Sequence, residues 1–283
     1  GGMKQRVMIA MAIAVEPEIL IADEPTTALD VTIQAQILEL LTKLQQKNGM
    51  AILLITHDLG VVRQVAHQVG VMYAGHLVEL AQADDFFTDP KHPYSQKLFD
   101  SLPSFNHRNK ALSVIKGSVP QLTKPIPGCR FANRCPYAIA TCVDIAPKWL
   151  MANKHNHHAR CHIYDEQFTE LFTDNLLKNK KISESADLEN TVKVDSSDNM
   201  LSLKALKIHF PIHKGIFKRT IGYVKAVDGV DLTLSRGETL AIVGESGSGK
   251  TTMGRSILKL IDSTSGEINY QGQEVPHISK QSL

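Results

Sequence analysis

The sequence predicts an α/β fold, in which helices cover a largely parallel β-sheet, and three observations support this. Short apolar runs with the length of buried strands occur at residues 18–23, 51–56 and 239–243. Apolar residues recur at helical spacing between the first two runs. A glycine-rich segment follows the third run and precedes another helical pattern. Strands that alternate with helices in this way are typical of a parallel sheet.

The elements of the first part of the chain have recognisable ends. Asp30 is a predicted helix cap, Gly49 is a predicted stop, and apolar residues lie between them at Ile33, Ile37, Leu41 and Leu44. Residues 69–73 and 77–80, joined through Ala74-Gly75, predict a β-hairpin. After residue 200, short strands are expected around Val224, Val227, Val230, Leu232 and Leu234.

The composition indicates a globular protein whose charges produce no strong overall electrostatic field. The chain has 31 Lys and Arg against 29 Asp and Glu, and its formal net charge is +2. This balance gives no electrostatic drive toward nucleic acids or anionic membranes, so no nucleic-acid partner is expected. No apolar run approaches the ~20 residues of a membrane-spanning helix. A cytosolic protein is therefore expected, with any membrane association made through a partner.

The glycine-rich segment has the pattern G-x-x-x-x-G-K-[ST] of a phosphate-binding P-loop and comprises Gly244, Glu245, Ser246, Gly247, Ser248, Gly249, Lys250, Thr251 and Thr252. Its glycines allow successive N–H groups to point at phosphates, reinforced by the positive end of the following helix. Lys250 would reach the β- and γ-phosphates of ATP, and the Thr251 hydroxyl would hold Mg²⁺. A merely flexible Gly/Ser-rich loop is the alternative, which the flanking strand and helix disfavour.

Two carboxylates, Asp23 and Glu24, close the first apolar run. Carboxylates at the end of a buried strand are costly unless they face a metal ion, a reacting water or solvent. In an ATPase, Asp23 would bind Mg²⁺ through water and Glu24 would polarise the attacking water. A solvated acidic pair at a strand end is the alternative.

With these motifs, the chain resembles the ATP-binding proteins of ABC transporters. Gly1-Gly2-Met3-Lys4-Gln5-Arg6 resembles the tail of the ABC signature, with Met3 in place of the usual Gln, as in peptide importers. Thr27-Ala28-Leu29-Asp30 resembles the D-loop, and His57 the switch histidine. The resemblance implies that Gly1 and Gly2 present N–H groups to a γ-phosphate across a domain interface, and that Asp30 and His57 belong to the site.

The resemblance also suggests an aromatic residue that stacks on adenine. Tyr223 lies about where the family has this residue, and Phe217 competes for the role. Three histidines outside these motifs, His67, His76 and His92, are predicted to lie at the surface.

All four cysteines, Cys129, Cys135, Cys142 and Cys161, fall within one short stretch, which predicts a joint role. Disulfides are disfavoured in the cytosol. A zinc site would lack the usual C-x₂₋₄-C pair but could recruit His155, His157, His158 or His162. The segment GCRFANRCP resembles the region after the ATPase core in dipeptide and oligopeptide importers, which implies a structural [4Fe–4S] cluster.

The order of the motifs suggests a fragment of a fused pair of ABC ATPase domains. We expect the C-terminal part of a first domain at 1–88, a cysteine-containing extension at 89–164, a linker at 165–200 and the N-terminal part of a second domain at 201–283. In this interpretation Gly1-Gly2 could face the Gly244 loop, and the P-loop belonging to Glu24 precedes residue 1. Both sites would then be incomplete, and little ATPase activity is expected.

The function implied by the resemblance is the energising of a binding-protein-dependent ABC importer of dipeptides, oligopeptides or glutathione. The implied partners are membrane permease subunits, a second ATPase domain and, indirectly, a periplasmic or lipoprotein substrate-binding protein. The implied location is the cytoplasmic face of the bacterial inner membrane. Two alternatives are a nucleic-acid-processing ABC ATPase with a cysteine metal site and a non-hydrolysing metal-binding scaffold.

Overall fold

The computed structural model describes residues 2–26, 29–101, 115, 117–153, 156–172, 199–214 and 219–275. Most of the predicted linker at 165–200 lies outside these ranges, as do Gly1, Thr27, Ala28, His155 and Phe217. Of the helices within these ranges, none combines the length and apolarity that crossing a membrane requires.

The helices within these ranges are α1 (Gly2–Ile13), α2 (Val31–Asn48), α3 (Leu59–Val65), α4 (Ala83–Thr88), α5 (Pro93–Asp100), α6 (Ala140–Asp144) and α7 (Lys250–Ile257). The strands are β1 (Ile19–Asp23), β2 (Ala51–Ile55), β3 (Gln68–Tyr73), β4 (His76–Gln82), β5 (Leu150–Met151), β6 (His158–Ala159), β7 (Asn199–Lys214), β8 (Arg219–Ser235), β9 (Thr239–Val243), β10 (Ser265–Tyr270) and β11 (Gln273–Glu274). The predicted α/β fold is confirmed.

The main sheet has the strand order β1-β2-β9-β3-β4-β6-β5. Its first four strands are parallel, with Leu53 of β2 opposite Leu240 of β9 and Val69 of β3 opposite Ala241. The predicted hairpin is confirmed as β3 and β4. Its two turn residues, Ala74 and Gly75, have φ values of 47° and 80°. This conformation joins two twisted strands in register.

Segments that the sequence analysis assigned to two partial domains share this sheet. Strand β9, from the last part of the chain, lies between β2 and β3 from the first part. All five residues of β9 are buried. An edge position would leave one row of their backbone groups without partners, and the central position pairs both rows. The division into four parts stays a prediction, and the structure adds that the first and last parts pack together.

The two faces of β2 enter two different hydrophobic cores, as expected when side chains alternate along a strand. Ile52 and Leu54 pack in the core that includes the apolar side of α2. Leu53 and Ile55 pack in a second core with Met253 of α7 and with residues of a four-stranded antiparallel sheet, β11-β10-β7-β8. The short strands predicted after residue 200 are joined in the long strand β8.

The ends of α2 agree with the sequence prediction. The Asp30 carboxylate accepts a hydrogen bond of 2.9 Å from the Ile33 N–H, which satisfies one of the unpaired donors of the first turn. Gly49 ends the helix in the left-handed conformation, with φ 63°.

The cysteine-containing segment is attached to the sheet through a buried carboxylate that the sequence analysis did not single out. Glu79 of β4 is fully buried and accepts hydrogen bonds from the backbone N–H groups of Lys91 and His92 at 2.7 and 2.8 Å. The same carboxylate lies 2.6 Å from Nε2 of His157, next to β6. Three donors from two separate segments thus converge on one buried acceptor.

The prediction of surface histidines is confirmed for His67 and wrong for His92. His92 is 1% exposed, and its Nδ1 accepts the Tyr94 N–H at the start of α5. Burial lowers the pKa of His92 to about 4, and the neighbouring Glu79 opposes this effect. His76 is also largely covered, and burial lowers its pKa to about 3. His76 and His92 line a common cavity with residues of the segment 129–161, which we call the cysteine segment, and local sequence does not reveal this packing.

Replacing Glu79 should destabilise the protein strongly. In Glu79→Ala, two backbone N–H groups and the His157 ring lose their acceptor without gaining water. We expect a loss of about 3 kcal/mol or more in the free energy of unfolding, measured by urea denaturation. The control is Glu39→Ala, because Glu39 pairs only with exposed Lys43 on the surface of α2, and its unfolding should not change. Equal unfolding curves for the two variants would contradict the anchoring role.

Candidate functional site

The loop after β9 requires glycine at two positions for steric reasons. Gly244 has φ 149°, and a Cβ there would lie 2.1 Å from the carbonyl oxygen of Met72. Gly249 has φ 105°, and a Cβ would lie 2.2 Å from the carbonyl oxygen of Ala226. No side chain fits at either distance, so the loop can approach β3 and β8 this closely only with glycine.

Lys250, the first residue of α7, is enclosed by this loop and is 6% exposed. Its Nζ donates hydrogen bonds to the carbonyl oxygens of Gly244 and Glu245 at 2.8 and 3.0 Å and to Ser248 Oγ at 3.4 Å. Burial lowers the pKa of Lys250, and the nearby carboxylates of Glu24, Asp23 and Glu245 oppose this effect. A buried ammonium group held only by neutral oxygens is well prepared to receive an anion.

The two carboxylates predicted from the sequence lie beside this loop. Thr251 Oγ1 donates a hydrogen bond of 3.1 Å to Asp23 Oδ1, which joins α7 to the end of β1. Glu24 has φ 47°, and its N–H donates to the carbonyl oxygen of Ile55 at 2.8 Å. His57 Nδ1 lies 3.0 Å from Glu24 Oε1.

A pocket opens at this point between the ends of the parallel strands. It is lined by Glu24, His57, Leu59, Leu98, Ser101, Val243, Gly244, Glu245 and Ser246. Ligands of open parallel sheets bind at the carboxyl ends of the strands, and β1, β2 and β9 all end here.

The structure therefore combines residues that the sequence analysis assigned to separate sites. The sequence analysis expected the P-loop that serves Glu24 to precede residue 1. In the structure, the loop at 244–252 lies beside Glu24 instead. The reason is the insertion of β9 beside β2, because the two strands carry Gly244 and His57 to the same edge of the sheet.

The contacts in the described part of the chain do not bring the other predicted site residues into this cluster. Gly2 begins α1, which is held to the residue after Glu24 by a hydrogen bond from Gln5 to the Pro25 carbonyl. Asp30 caps α2. Tyr223 lies in β8 opposite Pro211, and its side chain is 52% exposed. Thr252 is the third residue of α7. Nucleotide contacts by these residues stay predictions.

Two contacts to the loop were not foreseen from the sequence. Arg134 of the cysteine segment donates to both carboxylate oxygens of Glu245 at 2.9 and 3.0 Å. The hydroxyl oxygen of Tyr94 accepts the Glu245 N–H at 2.8 Å. No sequence signal identifies these partners, because they lie more than a hundred residues from the loop along the chain.

The four cysteines lie around one enclosed, mainly apolar cavity, together with Phe131, Phe172 and His162. They form no disulfides, and the Cys129 N–H donates to the Cys142 carbonyl oxygen at 2.7 Å. Burial raises the pKa of the Cys129 and Cys135 thiols to about 11 and about 12, and it also raises that of Cys161. Within the part of the chain that the structure describes, no three His, Cys, Asp or Glu side chains form a group that could hold a metal ion.

Of the histidines predicted to supplement a zinc site, only some of those in the described residues lie near the cavity. His162 lines it and lies 2.9 Å through Nε2 from the carbonyl oxygen of Ile145. His157 is bound to Glu79, and the ring of His158 stacks on Trp149.

Alanine substitutions at two loop glycines should differ sharply in cost. In Gly244→Ala the new methyl group would meet the Met72 carbonyl, so β3 or the loop must move. Gly247 has φ 78°, but nothing lies within 4 Å of a Cβ there, so Gly247→Ala should cost only about 1 to 2 kcal/mol of backbone strain. We expect Gly244→Ala to cost about 3 kcal/mol or more in urea unfolding. Equal losses would contradict the close approach of Gly244 to β3.

Two family models match the chain. The model described as "ABC transporter" matches residues 1–27 and 227–283, and the "Oligopeptide/dipeptide transporter, C-terminal region" model matches residues 78–142. The first model thus covers α1, the Asp23-Glu24 pair and the P-loop. The second covers the last five residues of β4 and three of the four cysteines.

Curated relatives match most of the chain. The oligopeptide transport ATP-binding protein OppD of Mycobacterium tuberculosis is 42% identical over 277 residues, which are 97% of this chain and 44% of that protein. The oligopeptide transport ATP-binding protein AppD of Bacillus subtilis is 53% identical over 60% of this chain and 52% of its own length. The glutathione import ATP-binding protein GsiA of Salmonella typhimurium is 36% identical over 99% of this chain and 36% of its own length.

The chain thus spans about half, or less, of the length of these relatives. A solved bacterial Atm1-family ABC exporter with ATP bound matches 41% of the chain at 22% identity, but the TM-score of 0.22 is too low for a structural argument. The family models and the relatives agree with the geometry of the P-loop and its carboxylates. The chain is thus similar to ABC-transporter ATP-binding proteins.

Proposed function

We propose that this protein binds and hydrolyses ATP as part of the ATP-binding component of an ABC importer for peptides. The observation that carries the proposal is the meeting of Lys250, Thr251, Asp23, Glu24 and His57 at one edge of the sheet. The importer role is supported by the names of the relatives, which are oligopeptide, dipeptide and glutathione import ATP-binding proteins.

The loop has the features that a triphosphate site needs. Lys250 Nζ would exchange the carbonyl oxygens of Gly244 and Glu245 for the β- and γ-phosphate oxygens. The hydroxyl of Thr251 and the carboxylate of Asp23 already lie together, and they would hold Mg²⁺, Asp23 through water. Bound Mg²⁺ would neutralise charge on the phosphates during phosphoryl transfer.

The residues for hydrolysis follow the same strands. Glu24 would orient and polarise the attacking water, since its carboxylate lines the pocket beside Gly244. His57 donates to this carboxylate from the end of β2 and would orient it while sensing the γ-phosphate. Both side chains are partly exposed, so water can reach them before nucleotide binds.

Residues outside this cluster complete the proposed site. Gly1 and Gly2 would present N–H groups to a γ-phosphate from across the interface with a second ATPase domain, and Asp30 would lie at that interface. Tyr223 is exposed enough to stack on an adenine ring. The domain boundaries at 88, 164 and 200, within a fused pair of ABC domains, are part of the same proposal.

The proposed partners are membrane permease subunits and, through them, a periplasmic or lipoprotein substrate-binding protein. The proposed location is the cytoplasmic face of the bacterial inner membrane. The near-neutral net charge disfavours a nucleic-acid-processing ABC ATPase, and the prepared Lys250 disfavours a non-hydrolysing scaffold.

For the cysteines we propose a [4Fe–4S] cluster of structural function, with zinc as the alternative metal. The proposal is supported by the common cavity and by the donor set, since four cysteine sulfurs that lose their protons on binding suit iron–sulfur clusters or zinc. Cys129, Cys135, Cys142 and Cys161 would be the ligands, and the sequence match to the peptide-transporter C-terminal region covers the first three.

Removing the Lys250 ammonium should weaken nucleotide binding. In Lys250→Ala we expect at least a tenfold weaker affinity for a fluorescent ATP analogue, because the loop loses its charge toward the phosphates. Lys204→Ala, which removes an exposed lysine from β7, is the matched control and should bind normally. Normal binding by Lys250→Ala would contradict the proposed ATP site.

Glu24→Gln should bind the analogue and reduce the rate of single-turnover hydrolysis by a factor of about 10² to 10⁴.

A metal at the cysteines should appear in protein purified without oxygen. We expect about four iron and four acid-labile sulfide per chain, as a [4Fe–4S] cluster requires, with both lost in the Cys135→Ser variant. Zinc with no sulfide would favour the alternative metal. A chain that holds neither metal after reconstitution would contradict a metal role for these cysteines.

A further inference from the structure

The cysteine segment, residues 129–161, contacts the P-loop through the side chain of Arg134. Both terminal nitrogens of its guanidinium bind the carboxylate of Glu245, at 2.9 and 3.0 Å. The side chain of Arg134 is 7% exposed and that of Glu245 27% exposed. A two-point, charge-assisted contact with this little exposure to water has a defined geometry and is stronger than a surface ion pair.

Aromatic residues hold this contact in place. Tyr73 and Tyr94 are fully buried, with ring centroids 4.6 Å apart. The Tyr73 hydroxyl oxygen accepts a hydrogen bond of 3.2 Å from Arg134, and its ring centroid lies 5.7 Å from the guanidinium carbon. The Tyr94 hydroxyl oxygen accepts the backbone N–H of Glu245. Both the side chain and the backbone of Glu245 are therefore fixed by residues outside the P-loop.

Glu245 has an unfavourable charge for its position. Glu245 lines the same pocket as Gly244 and Glu24, where the proposed site receives a triphosphate. An unpaired carboxylate there would repel the phosphates, and like charges at short range weaken binding. The Arg134 guanidinium neutralises this charge and directs the carboxylate to the side of the loop that faces the cysteine segment.

We propose that Arg134 is a positioning residue of the nucleotide site, which neutralises and orients Glu245 so that the P-loop can accept a nucleoside triphosphate. The cysteine segment thereby sets the affinity of a site built from other parts of the chain. This inference rests on the proposed function, because it assumes that the P-loop binds nucleotide.

A double-mutant cycle on the full chain tests this role, with binding of a fluorescent ATP analogue as the measurement. We expect Arg134→Ala to weaken binding about tenfold, because it leaves the Glu245 charge beside the phosphates. Glu245→Gln should bind the analogue a few-fold tighter than the unaltered chain, since it removes that negative charge. The double variant Arg134→Ala/Glu245→Gln should recover most of the affinity lost in Arg134→Ala. Lys148→Ala, which removes an exposed lysine that pairs with Asp165 in the same part of the chain, should bind normally.

A purely structural role for Arg134 gives a different pattern. In that case the double variant would bind as weakly as Arg134→Ala, and this result would overturn the inference. If Arg134→Ala does not fold, Glu245→Gln alone decides, because binding weakened tenfold in that variant would also overturn it. A failure of the proposed function is distinguishable, since the unaltered chain would then bind no nucleotide, or Lys250→Ala would bind it normally.

Discussion

The parallel pairing of β9 with β2 and β3 is the interaction on which the candidate site depends. Each residue of β9 is buried, and the strand has hydrogen-bonded neighbours on both sides. This position places the P-loop after β9 next to the ends of β1 and β2. Lys250 thereby comes near Asp23 and Glu24, although more than two hundred residues separate them in the chain. The proposed site for phosphate and metal lies here because three parallel strands end together.

The cysteine segment is held against this sheet by buried polar contacts in addition to the apolar packing of Phe131 on Tyr73 and Tyr94. Glu79 accepts hydrogen bonds from both ends of the connection between β4 and β6. Arg130 binds the Ala74 carbonyl and the Asp228 carboxylate, and Arg134 binds Glu245. Each contact fixes position because a buried charge without its partner is costly. The segment is therefore placed by chemistry that also reaches the P-loop.

Two cations, Lys250 and Arg134, offset part of the negative charge of three carboxylates around the P-loop. The Lys250 ammonium faces backbone oxygens and has Asp23 and Glu24 near it, while Glu245 is matched by Arg134. Burial alone would disfavour the charged form of Lys250, and the acidic neighbours offset part of this effect. An incoming polyanion would thus meet one prepared cation and one neutralised carboxylate.

The sequence by itself determined the local elements and the chemistry of the site. Periodicity, capping and turn residues predicted α2, the β3–β4 hairpin and β9. The P-loop pattern predicted roles for Lys250 and Thr251, the strand end predicted roles for Asp23 and Glu24, and the family resemblance suggested His57. Tertiary structure decided which strand lies beside which, and so combined the P-loop with Glu24 in one site. It also buried His92 and paired Arg134 with Glu245. Periodicity and capping act over a few residues, whereas strand order and buried ion pairs depend on which distant segments exclude water together.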